Sequence, residues 1–254
     1  MLMYNDLLTI GNLTIHGYGL MIGIGVAVAM LIGDRRAVKR GLNGDIIYGM
    51  TIAAVVFGFL AAKVLFIITK LPEFIKDPVR FITGSGFVVF GGLFGGILTV
   101  HIYCKICKVD TLTYIDLMAP SVAIAQGFGR IGCLLAGCCY GRETDSIFGI
   151  VFRNSDYAPN NVRLIPTQII MSVGDFIIAG ILLYLARKPR RKGDISCIWL
   201  MLYSVGRFAV EFLRNDYRGS VGFLSTSQFI GLITVVLALL TYIFVLPIIN
   251  KKEE

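Results

Sequence analysis

The 254 residues are 56% hydrophobic and only 16% charged, with a mean hydropathy of +0.77. Soluble domains carry about 25% charge, so this composition excludes a disordered chain, a collagen-like chain and an ordinary cytosolic enzyme. The net charge of +8 suits phosphate-rich partners in general, but the positions of the basic residues tie it to membrane topology, and no nucleic acid is expected.

A membrane-spanning helix needs about 20 mostly apolar residues. Seven segments meet that rule, at roughly 12–33, 46–69, 88–108, 112–135, 168–186, 194–213 and 226–247. The expectation is an all-α polytopic membrane protein with seven transmembrane helices, residues 1–254 forming a single integral-membrane domain. The first 11 residues hold no Lys or Arg, so the first span lacks the flank of a cleaved signal peptide and is expected to be retained. Lys and Arg accumulate in cytoplasmic loops. Thirteen follow spans 1, 3, 5 and 7, among them Arg35, Arg36, Lys105, Arg190, Lys251 and Lys252. Eight lie on the other side, among them Lys70, Arg142, Arg214 and Arg218. That bias predicts an outside N-terminus, a cytoplasmic C-terminus and an outer loop at about 136–167.

Charge inside a span costs about 2.5–3.5 kcal/mol at mid-bilayer and marks a candidate site. In chain order, span 1 opens on His16 and Tyr18, an imidazole suited to base chemistry or to interfacial anchoring. Lys63 stands alone in span 2, where bonding to a backbone carbonyl is the expectation. Span 3 opens on Gly91, Gly92, Gly95 and Gly96, small residues at the spacing that lets helices approach closely. Its Cys104-Lys105-Ile106-Cys107 resembles half a metal site, but by the charge count it lies across the bilayer from Cys133, Cys138 and Cys139. Those three face outward, where a disulfide is open to them. No metal site and no cofactor is expected.

Span 4 holds Gln126 and Arg130, one turn apart on one face. The Gly127–Gly132 match to a dinucleotide fingerprint lies inside this apolar span, not at a strand–helix turn, and is set aside. In span 6, Tyr203, Arg207, Glu211 and Arg214 form one stripe, with Trp199 expected at the cytoplasmic interface. Two arginines at similar outer depth make a clamp for phosphate or carboxylate. The same pattern also accommodates a structural Arg207–Glu211 ion pair.

Several motifs together resemble the prolipoprotein diacylglyceryl transferase family. They are Tyr18-Gly19-Leu20, Phe90-Gly91-Gly92-Leu93, Gly129-Arg130-Ile131-Gly132 with Gly141, Pro166-Thr167-Gln168, and the stripe from Tyr203 through Arg207-Phe208 and Glu211-Phe212 to Arg214. The resemblance covers nearly the whole chain. It implies a bacterial cytoplasmic-membrane enzyme with its active site toward the outer face. Such an enzyme moves a diacylglyceryl group from phosphatidylglycerol to the lipobox cysteine of a prolipoprotein signal peptide, releasing glycerol phosphate. By motif position, Arg130 would bind the lipid phosphate and Arg207 would be the second essential cation, oriented by Glu211. Tyr18 would bond near the reacting groups, with Tyr203 and Gly92 beside the substrate, and Gly91 and Gly141 would permit close approach.

This sequence has Phe90 where the family commonly has His, Cys133 for Asn, and Cys138 for Glu. With that histidine missing, His16 is the candidate base. A paralogue with another acceptor, a lipid-binding scaffold and a small anion transporter are the competing readings.

Overall fold

A computed structural model describes residues 6–11, 13–84, 86–216 and 219–251; Asn12, Ser85, Arg218 and Lys252 lie outside them. The chain is mostly helical, with three short antiparallel strand pairs. Strands β1 (Asp6–Ile10) and β2 (Leu13–His16) form a hairpin turned by Gly11 and lead into α1 (Gly17–Lys39). The expected first span therefore begins as a strand, because Thr14 and Ile15 are β-branched and pair with Thr9 and Leu8. His16 sits in β2 and not on a helix.

Helices α2 (Asp45–Thr69), α3 (Leu71–Lys76), α4 (Pro78–Thr83), α5 (Val89–Ile106) and α6 (Thr111–Ala136) follow. Then come the paired strands β3 (Ile150–Val151) and β4 (Arg163–Leu164), α7 (Thr167–Leu185) and α8 (Asp194–Glu211). A third pair, β5 (Ser220–Val221) and β6 (Leu224–Ser225), precedes α9 (Thr226–Leu240). A π-helical turn at Thr241–Val245 then runs into α10 (Leu246–Lys251). Among the described residues, six helical stretches are long and apolar enough to cross a membrane. The remaining expected span, the sixth in chain order, is α8, whose 18 residues include Asp194, Arg207 and Glu211 and so offer no 18-residue stretch with fewer than three charges. Apolar side chains such as Phe57, Phe59, Val64, Phe94 and Leu237 are exposed along the helices, as lipid-facing surfaces require. This is a multi-pass membrane protein.

The chain divides into two compact units, residues 33–114 and residues 1–32 with 115–254. In the first, α2 and α5 pack backbone to backbone. A methyl group on Gly91 would lie 2.6 Å from the Ala61 carbonyl oxygen, and Gly92 abuts Gly58 and Ala62. Both glycines serve this helix seam. The Lys63 ammonium donates to the Gly84 carbonyl at 2.7 Å and lies over the Phe66 and Phe87 rings, so its charge is satisfied locally. Cys104 is buried against the Met50 sulfur.

In the second unit, Ala119 and Ala123 of α6, Ala179 and Leu182 of α7 and Ile195 of α8 form the core. Trp199 packs against this core and tilts on Tyr203. The buried carboxylate of Asp116 accepts from the backbone N–H groups of Gly193 and Ser196, each at 2.8 Å, and from the Ser196 hydroxyl. These are the first donors of α8, which a helix leaves unpaired. Gly193, at φ +92°, supplies the left-handed residue that lets the chain enter α8 over Asp116. The long loop after α6 is ordered around its own small core of Phe152, Ala158 and Leu164.

Candidate active site

Arg130 is presented by α6, Asp175 by α7, and Tyr203 and Arg207 by α8. The Arg130 guanidinium donates to the Tyr203 hydroxyl at 3.4 Å and interacts electrostatically with Asp175, Cys133 and Cys139. It has five N–H donors, and among the described residues it makes no ion pair within 4.0 Å. Tyr203, Asp175 and Arg207 line one cleft of about 50 Å³, with Met171 and Val210 as its apolar walls. Arg130 and Arg207 thus converge on the Tyr203 phenol, which interacts with both.

Arg207 is engaged on two sides. It pairs with Glu211 on its own helix and donates to Ser227 of α9 at 2.8 Å. Glu211 also lies 3.6 Å from Arg214, which makes a two-bond contact with Asp216 at 2.9 and 2.5 Å. The side chains of Arg207, Glu211 and Arg214 are only 11%, 8% and 2% exposed. Two arginines and two acids balance, so the network is neutral and tolerable under a membrane surface. The stripe read from the sequence is therefore one continuous chain of contacts.

Gly141 stitches the loop after α6 to this network. Its N–H bonds the Ile165 carbonyl at 3.2 Å, the next N–H bonds that of Leu213 at 2.8 Å, and Gly141 bridges to Arg214. A Cβ there would come 2.6 Å from the Ile165 oxygen and 2.9 Å from the Leu213 oxygen, so only glycine lets the strands close. Beyond it, Arg142, Glu211, Arg214, Asp216, Phe223 and Gln228 line a hollow of about 440 Å³.

Next to Arg130 stands a group that the spacing of the sequence did not bring together. The sulfurs of Cys133, Cys138 and Cys139 all lie within 4.8 Å of one another, and none of the three is in a disulfide. The turn that gathers them has Gly137 at φ +70° and Cys139 at φ +61°, a conformation costly for a residue with a Cβ. Buried Thr167 and Gln168 hold it, donating to the carbonyls of Cys139 and Cys138, each at 2.7 Å. The neighbouring thiols Cys133 and Cys139, together with burial, hold the Cys138 thiol above its ordinary range. Tyr18 packs on Gly132 of α6 and interacts with the three thiols and Arg130.

A family model for prolipoprotein diacylglyceryl transferase matches residues 5–244. The chain is 46% identical to the phosphatidylglycerol–prolipoprotein diacylglyceryl transferase of Clostridium tetani over 232 residues, 91% of this chain and 93% of that one. It is 46% identical to transferase 2 of Clostridium perfringens, over 91% of each chain. To transferase 1 of the same organism it is 29% identical, over 97% and 96%. The chain belongs to the prolipoprotein diacylglyceryl transferase family.

Of the residues singled out from the sequence, this diacylglyceryl transferase homologue gathers most in one unit. Tyr203 and Arg207 line the cleft, Arg130 bonds the Tyr203 hydroxyl, Glu211 pairs with Arg207, Gly141 bridges to Arg214, and Tyr18 adjoins the Arg130 helix. His16 lies instead on the exposed hairpin, its Nδ1 2.6 Å from Asp6; its described polar contact is that carboxylate. Gly91 and Gly92 belong to the α2–α5 seam. Sequence reasoning missed Asp175, an acid within an apolar helix whose depth was itself the available signal. It also missed Ser227 and the Thr167–Gln168 clamp, which no helical spacing reveals.

Proposed function

We propose that this chain is a phosphatidylglycerol–prolipoprotein diacylglyceryl transferase of the bacterial cytoplasmic membrane. It crosses the membrane seven times, with the N-terminus outside, the C-terminus cytoplasmic and the cleft toward the outer face. Span six is α8, whose Arg207 and Glu211 are paired with each other, with Ser227 of α9 and with Arg214, while Asp194 at its start pairs with Arg191. The acceptor is the lipobox cysteine of a signal peptide. Its sulfur attacks the glyceryl carbon, the bond from that carbon to the phosphate oxygen breaks, and the electron pair leaves on glycerol phosphate. The thiol proton is released.

The observation that carries this reading is Arg130, a guanidinium held between Tyr203 and the thiols with donors to spare. It binds the lipid phosphate, and Arg207, held by Glu211, faces the charge that develops on the leaving group. Such preorganised donors cost no reorganisation at the moment of reaction. Tyr18 and Tyr203 hydrogen-bond around the phosphate, Gly141 admits the backbone closely, and the His16–Asp6 pair accepts the released proton near the surface. The test is release of glycerol phosphate by the purified protein in detergent with phosphatidylglycerol and a lipobox peptide. Release that requires the peptide cysteine and Arg130 supports the reading. Lipid binding without release would favour a scaffold or another acceptor.

A further inference from the structure

The three thiols beside Arg130 have no task in the chemistry just described, and their arrangement is specific. Two are supplied by a turn in a costly backbone conformation, clamped by Thr167 and Gln168, and the third by the last turns of α6. Cys133 and Cys139 are buried while Cys138 is half-buried, so the cluster is closed behind and accessible on one side. Zinc binds thiolate at about 2.3 Å in a tetrahedron, which places ligand sulfurs about 3.8 Å apart. From separations within 4.8 Å, the sulfurs need to close by about 1 Å at most to reach that geometry.

Three protein ligands with a free fourth position are the composition of catalytic zinc sites, whereas structural sites have four. Resting on the transferase reading, we infer that Cys133, Cys138 and Cys139 bind a zinc ion whose fourth position takes the thiol of the acceptor cysteine. Zinc with three thiolates carries one negative charge, and the Arg130 guanidinium, which interacts with Cys133 and Cys139, offsets it. A coordinated thiol is deprotonated outright, and the thiolate is the nucleophile. The acceptor proton then passes to water or to His16. The zinc-bound sulfur forms the new bond to the glyceryl carbon as the carbon–oxygen bond to phosphate breaks. Zinc stays divalent throughout, and the thioether product, a weaker ligand, leaves the metal. The site thereby supplies the activation that Phe90, standing where the family commonly has His, does not.

The experiment uses the full chain purified in detergent. After zinc loading and removal of excess metal, elemental analysis is expected to give one zinc per chain, and none for the Cys138→Ser variant. Cys138→His, which keeps a zinc-type ligand, is expected to retain the metal and controls for misfolding. Cobalt in place of zinc gives a thiolate charge-transfer band, and a lipobox peptide is expected to change it while the same peptide with serine does not. Chelation is expected to lower glycerol phosphate release roughly tenfold or more, on the scale at which metal-site disruption acts, with zinc restoring it.

Metal retention no greater than that of Cys138→Ser, a disulfide among the three cysteines in the active protein, or full activity of the chelated enzyme would each overturn the inference while leaving the transferase standing. Zinc binding and a peptide-dependent cobalt band without any glycerol phosphate would instead sink the transferase reading and leave the metal–thiol site in place.

Discussion

Arg130 and Arg207 differ in how much of their charge is already committed. Arg207 is bonded to Glu211 and Ser227, whereas the one hydrogen bond described for Arg130 is that to Tyr203. Arg130→Ala is expected to reduce glycerol phosphate release by roughly 10² to 10³, as removal of one donor aimed at developing charge does, with the protein still folded and inserted. Arg207→Ala is expected to lose activity comparably and also to lower thermal stability, because it removes the Ser227 bond and the nearer of the two arginines that pair with Glu211. A stability loss confined to Arg130→Ala would invert this assignment. For His16 the expectation is smaller. An exposed proton acceptor near the surface is dispensable when the thiol is activated by metal, so His16→Ala is expected to cost less than the roughly hundredfold minimum of a true general base. A larger loss in a steady-state rate assay would make His16 the base. The arginine stripe was legible because helical spacing and the cost of charge in lipid are both local rules. The thiol cluster was not, because its geometry depends on two left-handed residues and on a clamp from residues about 30 positions further along.

At the scale of elements, helix limits followed from apolar length. Six of the seven expected spans match observed helices to within a few residues, and the first departs because a β-branched run makes a hairpin before α1. What the pattern of residues did not disclose is how helices are joined. Asp116 of α6 caps the start of α8 and so sets the height at which Tyr203 and Arg207 stand beside Arg130. Asp116→Asn keeps the shape but weakens those bonds, and is expected to cost about 1–3 kcal/mol, read as a lower unfolding temperature in detergent. An unchanged midpoint would show that packing alone holds α8. The glycines at 91 and 92 show the opposite case. Their spacing announced close approach, and the helix they meet is α2.

For the whole molecule, the expected arrangement is testable by labelling engineered single cysteines with an impermeant maleimide in intact cells, in a background with the native thiols replaced. A cysteine at Ser146, in the outer loop, is expected to react from outside. One at Lys188, in the basic loop after α7, is expected to react only after permeabilisation. The reverse pattern would overturn the orientation drawn from the excess of Lys and Arg. The comparisons bear on the same scale, since one clostridial species carries two transferases and this chain is 46% identical to one and 29% to the other.

The junction between α8 and α9 has a kinetic meaning. Arg207 ties the end of α8 to the first turn of α9, Arg214 is anchored on Asp216, and Ser225 and Gln228 cap each other's backbone across the start of α9. The connection is stapled at its base, while at its tip Gly222 takes a left-handed conformation and Phe223 is 98% exposed. The bonds described tie the footing, and the exposed tip lies beyond them. Displacing Gly222 and Phe223 would therefore alter the mouth of the hollow without breaking the arginine network.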